Sequence, residues 1–197
     1  MILHVFAAAG AITGHPDAAM ACSADAIAIV YNCCNTFQHN IGVQCAGIDV
    51  LGNMSAHASP DLTYEQRASA ILCICTLLCR CPAEARVLQH AVAALAKIDE
   101  ASIVTPMAQC HVLHVLIASL SKCTELPNAV LLHLLVLLRA YSRYDPAAVA
   151  TSGAIPVILR ILRAYYSSTT PLAAANDEIA SLSDMTISLL YDVSEHS

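Results

Sequence analysis

Residues Glu84 to Ile98 read EARVLQHAVAALAKI, and this stretch occurs in related form twice more in the chain. The related stretches are NIGVQCAGIDVLGNM, which begins at Asn40, and NAVLLHLLVLLRAY, which begins at Asn128. Their aligned valines lie 44 and 43 residues apart, and apolar residues then recur at steps of three, four and seven. This spacing predicts one helix in each copy, with a single buried stripe.

Three columns of the alignment are apolar in every copy: Val50, Ala94 and Leu137; Leu51, Leu95 and Leu138; Met54, Ile98 and Tyr141. A fourth copy, LSDMTISLLYDV, follows after a longer step of 52 residues. The additional residues are accounted for by SSTTPLAAAND, at 167–177, whose polar and small side chains predict an inserted surface loop.

A second apolar helix precedes each copy, and a short segment joins one unit to the next. The junction YDPAAVATSGAIPVIL, which begins at Tyr144, contains a proline suited to open a short helix and a glycine, Gly153, suited to end it. Helical units of about 43 residues that cannot bury their apolar faces alone are typical of an α-solenoid. The sequence therefore predicts an all-α fold.

The segment AVATSGAIPVILRIL, which begins in this junction at Ala148, resembles an armadillo repeat, with a short first helix, a G-A-I-P turn and a second helix. NIGVQCAGIDVLGNM is similar to the third helix of that family, and HEAT-like repeats share the period. The resemblance implies a right-handed α-solenoid of about four repeats in one domain, 1–197. The predicted parts are a last helix of a partial repeat at 1–14 and repeats at 15–59, 60–101, 102–144 and 145–197.

The composition favours helices covered by other helices. Hydrophobic residues make up 57% of the chain and charged residues only 12%, against about 25% charged in typical soluble domains. The apolar run AVLLHLLVLL, from Ala129, is shorter than the roughly 20 residues that a membrane span needs. The net charge of −6, without basic runs, indicates no nucleic-acid partner.

The segment CICTLLCRCP, Cys73 to Pro82, contains four of the ten cysteines. On one helix Cys75 and Cys79 lie about 40° apart while the other two face elsewhere, so the four thiolates cannot converge on one zinc ion. We therefore expect core thiols in a reducing compartment, the cytoplasm or the nucleus. No Lys or Arg precedes the apolar N-terminal segment, where a signal peptide carries positive charge.

Two histidines, His90 and His133, occupy the same column of successive third helices, which predicts a ladder on the inner, concave face. Peptide-binding armadillo proteins carry Trp and, four residues on, Asn in this helix. Asn53 fits the Asn position, but Asp49 stands where Trp is expected, so recognition of basic import signals is not expected. The resemblance implies a protein-binding groove, with Asn53, His90, Lys97 and His133 as its predicted partner-binding residues.

The predicted function is a non-catalytic scaffold that binds a protein or an extended peptide, with no cofactor, no metal and no catalytic residue. The sequence has no phosphate-binding glycine loop and no nucleophile elbow, and a Cys45–His90 pair would lack a third, orienting group. One alternative is assembly or self-association through the end faces, since neither end has a polar capping repeat. Another is a zinc or thiol protein that uses Cys79 and Cys81 with His111 or His114.

Overall fold

The computed structural model describes residues 24–56, 63–122, 126–167 and 176–194, and all regular secondary structure in these ranges is helical. The all-α prediction is confirmed for this part of the chain. The predicted leading helix at 1–14 lies outside the described residues, and the predicted loop at 167–177 overlaps them only at its edges.

Ten helices occupy the described ranges, and they include the four predicted third helices and the helix predicted before each of them. The third helices are α2, α4, α7 and α10. In chain order the helices are α1 (Ala24–Thr36), α2 (Ile41–Ala56), α3 (Tyr64–Arg80), α4 (Ala85–Leu95), α5 (Glu100–Gln109), α6 (Val112–Leu120), α7 (Asn128–Tyr144), α8 (Pro146–Thr151), α9 (Ala154–Ser167) and α10 (Asn176–Ser194).

The chain separates into two compact units between Val112 and Leu113, at the start of α6. The first unit contains α1 to α5, and the second contains α7 to α10 and nearly all of α6. The assignment of residues 1–197 to a single domain stays a prediction.

Helices of the same predicted kind pack side by side in the first unit. The third helices α2 and α4 lie against each other, α1 lies against α3, and α2 also contacts α1 and α3.

The predicted apolar stripe forms the core of both units. All nine residues of the three apolar columns are buried: Val50, Leu51, Met54, Ala94, Leu95, Ile98, Leu137, Leu138 and Tyr141.

Two glycines of α2 allow neighbouring helices to approach closely. A Cβ atom added at Gly47 would overlap the Sγ of Cys34 on α1. A Cβ atom added at Gly52 would lie 2.6 Å from the Cβ of Ala94 on α4. Both approaches are shorter than real Cβ contacts. At Gly52 the packing of α2 on α4 requires a residue without a side chain, whereas at Gly47 the Cys34 Sγ atom would have to move.

The ends of α3 follow from local signals in the sequence. Thr63 and Gln66 form a capping box, in which Gln66 N donates to Thr63 Oγ1 at 3.2 Å and Thr63 N donates to Gln66 Oε1 at 2.9 Å. The helix ends at Arg80, and Cys81 lies in the turn before Pro82, as predicted.

In the second unit the predicted junction between repeats is present as two helices. Pro146 opens α8, and Ala148 N donates to the Asp145 side chain at 2.8 Å, which caps the helix. Gly153 then adopts a φ of 80°, in the left-handed region that favours glycine, and separates α8 from α9. The predicted roles of the proline and of Gly153 are confirmed.

The last helix of this unit, α10, packs on α7, α8 and α9. Asp192 of α10 lies beside two guanidinium groups of α7, with its Oδ2 atom 3.5 Å from Arg139 Nε and 3.6 Å from Arg143 Nε. The contact joins the two predicted third helices of the second unit, as α2 and α4 are joined in the first.

A buried amide fixes the turn between α1 and α2. Gln44 is fully buried, and its Nε2 atom donates to Cys34 O at 2.8 Å and to Phe37 O at 3.1 Å. Gln44→Met removes both hydrogen bonds and leaves the carbonyl of Cys34 at the end of α1 without this donor. We expect a loss of about 2 kcal/mol in the free energy of unfolding, measured by urea denaturation.

The matched control is Gln38→Met, because the Gln38 side chain is exposed and contacts only the exposed His39 in the same turn. This variant is expected to stay within about 0.5 kcal/mol of the wild type. Equal stability losses in the two variants would contradict a specific role for the buried amide.

Among the described helices, no single one is long and apolar enough to cross a membrane. Only α5 and α6 taken together meet the length and composition criteria, and a bend separates these two helices.

Candidate partner-binding site

A polar cavity of about 200 Å³ lies between α2 and α4 in the first unit. Both helices are predicted third helices, and Gly52 brings their backbones close together beside it. The cavity is lined by Asp49 and Asn53 from α2, by Gln89, His90, Ala93 and Ala94 from α4, and by Lys97 from the turn that follows.

The centre of this site is a hydrogen-bonded pair of side chains between the two helices. His90 Nδ1 lies 2.7 Å from Asp49 Oδ1, and the side chains are 32% and 47% exposed, respectively. A carboxylate only accepts hydrogen bonds, so Nδ1 carries the proton and donates it. The pair therefore fixes the orientation of the imidazole ring, and in the neutral form Nε2 is left as a hydrogen-bond acceptor.

The structure brings together three of the four predicted partner-binding residues. Asn53 is half-buried on α2, one turn after Asp49, and Lys97 is exposed beyond the end of α4. Both line the same cavity as His90. His133 is half-buried on α7 in the second unit, so the predicted ladder of His90 and His133 stays a prediction.

Sequence analysis missed Asp49 and Gln89 as residues of the site. Asp49 was noticed only as a departure from the tryptophan of peptide-binding armadillo proteins. The sequence does hold a partial indication of the pair. In the alignment of the third helices Ala46 stands in the same column as His90, and Asp49 lies one turn after Ala46. This offset of one turn allows a pair between neighbouring helices, but the shift of the two helices along their axes, which the sequence does not give, decides whether the side chains meet.

None of the eight described cysteines forms a disulfide. Cys34, Cys45 and Cys75 are buried, and the other five are half-buried, so the prediction of core thiols holds fully for three of them. Burial raises the pKa of Cys34 to about 12. Burial, and then the neighbouring Cys110 thiol, raises the pKa of Cys79 to about 11.

These thiols contact the backbone and hydroxyl groups rather than a metal site. Cys79 Sγ donates to Cys110 O at 3.3 Å, and Cys110 Sγ lies 3.6 Å from Thr76 Oγ1. Within the residues that the structure describes, no group of three or more His, Cys, Asp and Glu side chains is arranged to hold a metal ion.

The other histidine and cysteine candidates lie in unfavourable settings. His111 has a φ of 55° and lies in the turn before α6, so it does not share a helical face with His114. Cys45 is buried, and burial raises the pKa of its thiol, which disfavours the reactive thiolate. The side chain that pairs with His90 is Asp49.

Comparison with known proteins gives no relative: no family model, no curated protein and no solved structure matches this chain.

Proposed function

We propose that the protein is an interaction module that binds an extended segment of a partner protein at the cavity between α2 and α4. The observation that carries this proposal is the convergence of Asp49, Asn53, His90 and Lys97 on one cavity. These polar side chains lie at the outer edge of the α2–α4 contact, whose inner residues are apolar. They are half-buried or exposed, and a bound backbone needs donors and acceptors of this kind.

The architecture that we propose for the whole chain is a right-handed, armadillo-like α-solenoid. Its support is the repeat period of about 43 residues together with the side-by-side packing of α1 with α3 and of α2 with α4. In such an array equivalent helices line one continuous surface. The unpaired thiols fit a reducing compartment, the cytoplasm or the nucleus.

The site is tested with peptides selected from a random displayed library on the wild-type chain. Each selected peptide is labelled, and its Kd is measured by fluorescence polarisation. The triple variant Asn53→Ala, His90→Ala, Lys97→Ala is expected to weaken binding by at least about tenfold, because it removes an amide, an imidazole and an ammonium group from one cavity. Circular dichroism checks that the variant is folded.

The matched control is the triple variant Gln109→Ala, His114→Ala, Lys122→Ala. It removes the same three kinds of group from exposed positions that do not line the cavity. We expect this variant to bind like the wild type. Undiminished binding by the site variant would place the peptide elsewhere and end the proposal for this cavity.

The second candidate function is assembly through an end face, and one observation favours it. Ile187 and Tyr191 lie one turn apart on α10 and are 51% and 60% exposed, respectively. An exposed apolar pair of this kind on the last described helix suits a packed contact with another chain. Assembly through an end face becomes the leading candidate function if the triple variant Asn53→Ala, His90→Ala, Lys97→Ala keeps full affinity for the selected peptides.

A further inference from the structure

A stripe of two cations, Arg86 and Lys97, flanks His90 on the α4 side of the site, and Lys97 lines the cavity itself. Arg86 lies in the first turn of α4, His90 one turn later, and Lys97 beyond the end of the helix. The step of four residues places Arg86 and His90 on one face of α4, and Lys97 follows in the turn after the helix. At 1.5 Å per residue, Arg86 and Lys97 are separated by about 16 Å along the axis.

The carboxylate of the site already has a side-chain partner, whereas the cationic groups of Arg86 and Lys97 do not. Asp49, the one acidic lining residue, pairs with His90. The side chains of Arg86 and Lys97 are exposed and form neither an ion pair nor a hydrogen bond within the described ranges. The positive charge of Arg86 partly offsets the burial that raises the pKa of the Cys45 thiol on α2, one turn before Asp49.

We propose that the segment bound at this site is acidic, with carboxylates that reach Arg86 and Lys97 while Asn53 and Gln89 hydrogen-bond its backbone. This inference rests on the proposed function and names the chemistry of the partner. An extended chain rises about 3.3 Å per residue, so the 16 Å between the cations matches acidic side chains about four to six residues apart. The flexible stems of arginine and lysine accommodate that range.

The net charge of the whole chain opposes the binding of an acidic segment, so a measured preference for acidic peptides would be informative. With a net charge of −6, the protein as a whole repels an acidic peptide and attracts a basic one. Preference for an acidic peptide can therefore arise only from a local group of cations, within roughly 8 Å of screening length at physiological salt.

The probes are three labelled nonapeptides built from serine and threonine. Each carries one pair of identical residues placed four positions apart: two glutamates in the first peptide, two glutamines in the second and two lysines in the third. The glutamate peptide is expected to bind at least about tenfold more tightly than the glutamine peptide, and its affinity is expected to fall as salt is added. The lysine peptide is expected not to bind. Equal affinities for the three peptides, or no binding of the glutamate peptide at about 1 mM protein, would overturn the inference.

Charge reversal provides the specific test. The double variant Arg86→Glu, Lys97→Glu is expected to lose the glutamate peptide and to gain affinity for the lysine peptide. The control Arg80→Glu, Lys122→Glu makes the same change in net charge away from the cavity, and its preference for glutamate is expected to persist. If both variants lose that preference alike, net charge rather than the stripe governs binding and the inference fails.

The same experiments separate this inference from the proposed function. Library peptides that need Asn53, His90 and Lys97 but carry no acidic residues would leave the site as proposed and overturn only its acidic preference. The chain could also occupy its own site. A dimer that is detected by sedimentation and dissociated by the glutamate peptide would make a second copy the occupant, and would overturn a separate acidic partner.

Discussion

Gly52→Ala is expected to lower the free energy of unfolding by about 2 kcal/mol, although alanine normally stabilises a helix relative to glycine by about 1 kcal/mol. The added Cβ atom would lie 2.6 Å from Ala94 Cβ and 3.4 Å from Ala94 Cα on α4. Neither atom can move by a change of rotamer, so α2 and α4 must separate and lose packing between buried stripes. Urea denaturation followed by circular dichroism measures the loss.

A double variant that exchanges the two residue types shows whether the clash between positions 52 and 94 causes the loss of stability. Ala94→Gly alone is expected to cost about 1 kcal/mol through helix propensity. Combined with Gly52→Ala it removes the colliding atom, so the double variant is expected to be more stable than Gly52→Ala alone. Losses that simply add in the double variant would mean that the two positions do not meet. Because Ala94 also lines the cavity, Gly52→Ala is expected to weaken peptide binding as well.

Much of the helical organisation was predictable because one physical pattern repeats. A buried helix must place apolar residues every three to four positions, and four copies of this pattern made the positions of α2, α4, α7 and α10 readable. The junction at Gly153 was also predictable, since proline and glycine have few alternative roles there. The break between α5 and α6 was not, because His111 adopts a positive φ that its side chain does not require.

The site could be predicted only in part. The column alignment placed Asn53, His90 and Lys97 on third helices, and the structure brings these three to one cavity. The pairing of His90 with Asp49 depends on how α2 and α4 are offset along their axes, and the Gly52–Ala94 approach contributes to that contact. A repeat period gives the equivalence of positions but not the offset between neighbouring helices, so the pair could not be inferred from the columns alone.

The cysteines were predicted to be core residues, and their burial has a consequence at high pH. In the unfolded chain a cysteine thiol ionises near its ordinary value of 9.0. Burial, reinforced by the nearby Cys33 and Cys73 thiols, raises the pKa of Cys34 to about 12, and burial raises that of Cys73 to about 11. Above pH 9 the unfolded chain therefore releases protons that the folded chain retains, and stability falls as pH rises.

The free energy of unfolding is expected to decrease steadily from pH 9 to pH 11, with its steepest fall above pH 9.5. Each thiol that stays protonated only in the folded state contributes at most about 1.4 kcal/mol per pH unit. Solvent screening reduces this for the half-buried Cys73 and Cys79. Urea denaturation at pH 8 and at pH 10.5, with a reductant present throughout, measures the difference.

The variant Cys34→Ala, Cys73→Ala, Cys79→Ala separates the thiols from other groups that titrate in this range. Tyr141 contributes in the same direction, because burial and then the neighbouring Asp145 raise the pKa of its hydroxyl, and the variant leaves this residue in place. The variant is expected to start less stable at pH 8, since it lacks buried sulfur atoms, but to lose less stability by pH 10.5. Equal losses in the two proteins would assign the alkaline sensitivity to groups that the variant keeps, among them Tyr141, Cys45 and Cys75. Cys34, Cys73 and Cys79 would then ionise as readily in the folded chain as in the unfolded one, which is incompatible with raised pKa values at these three thiols.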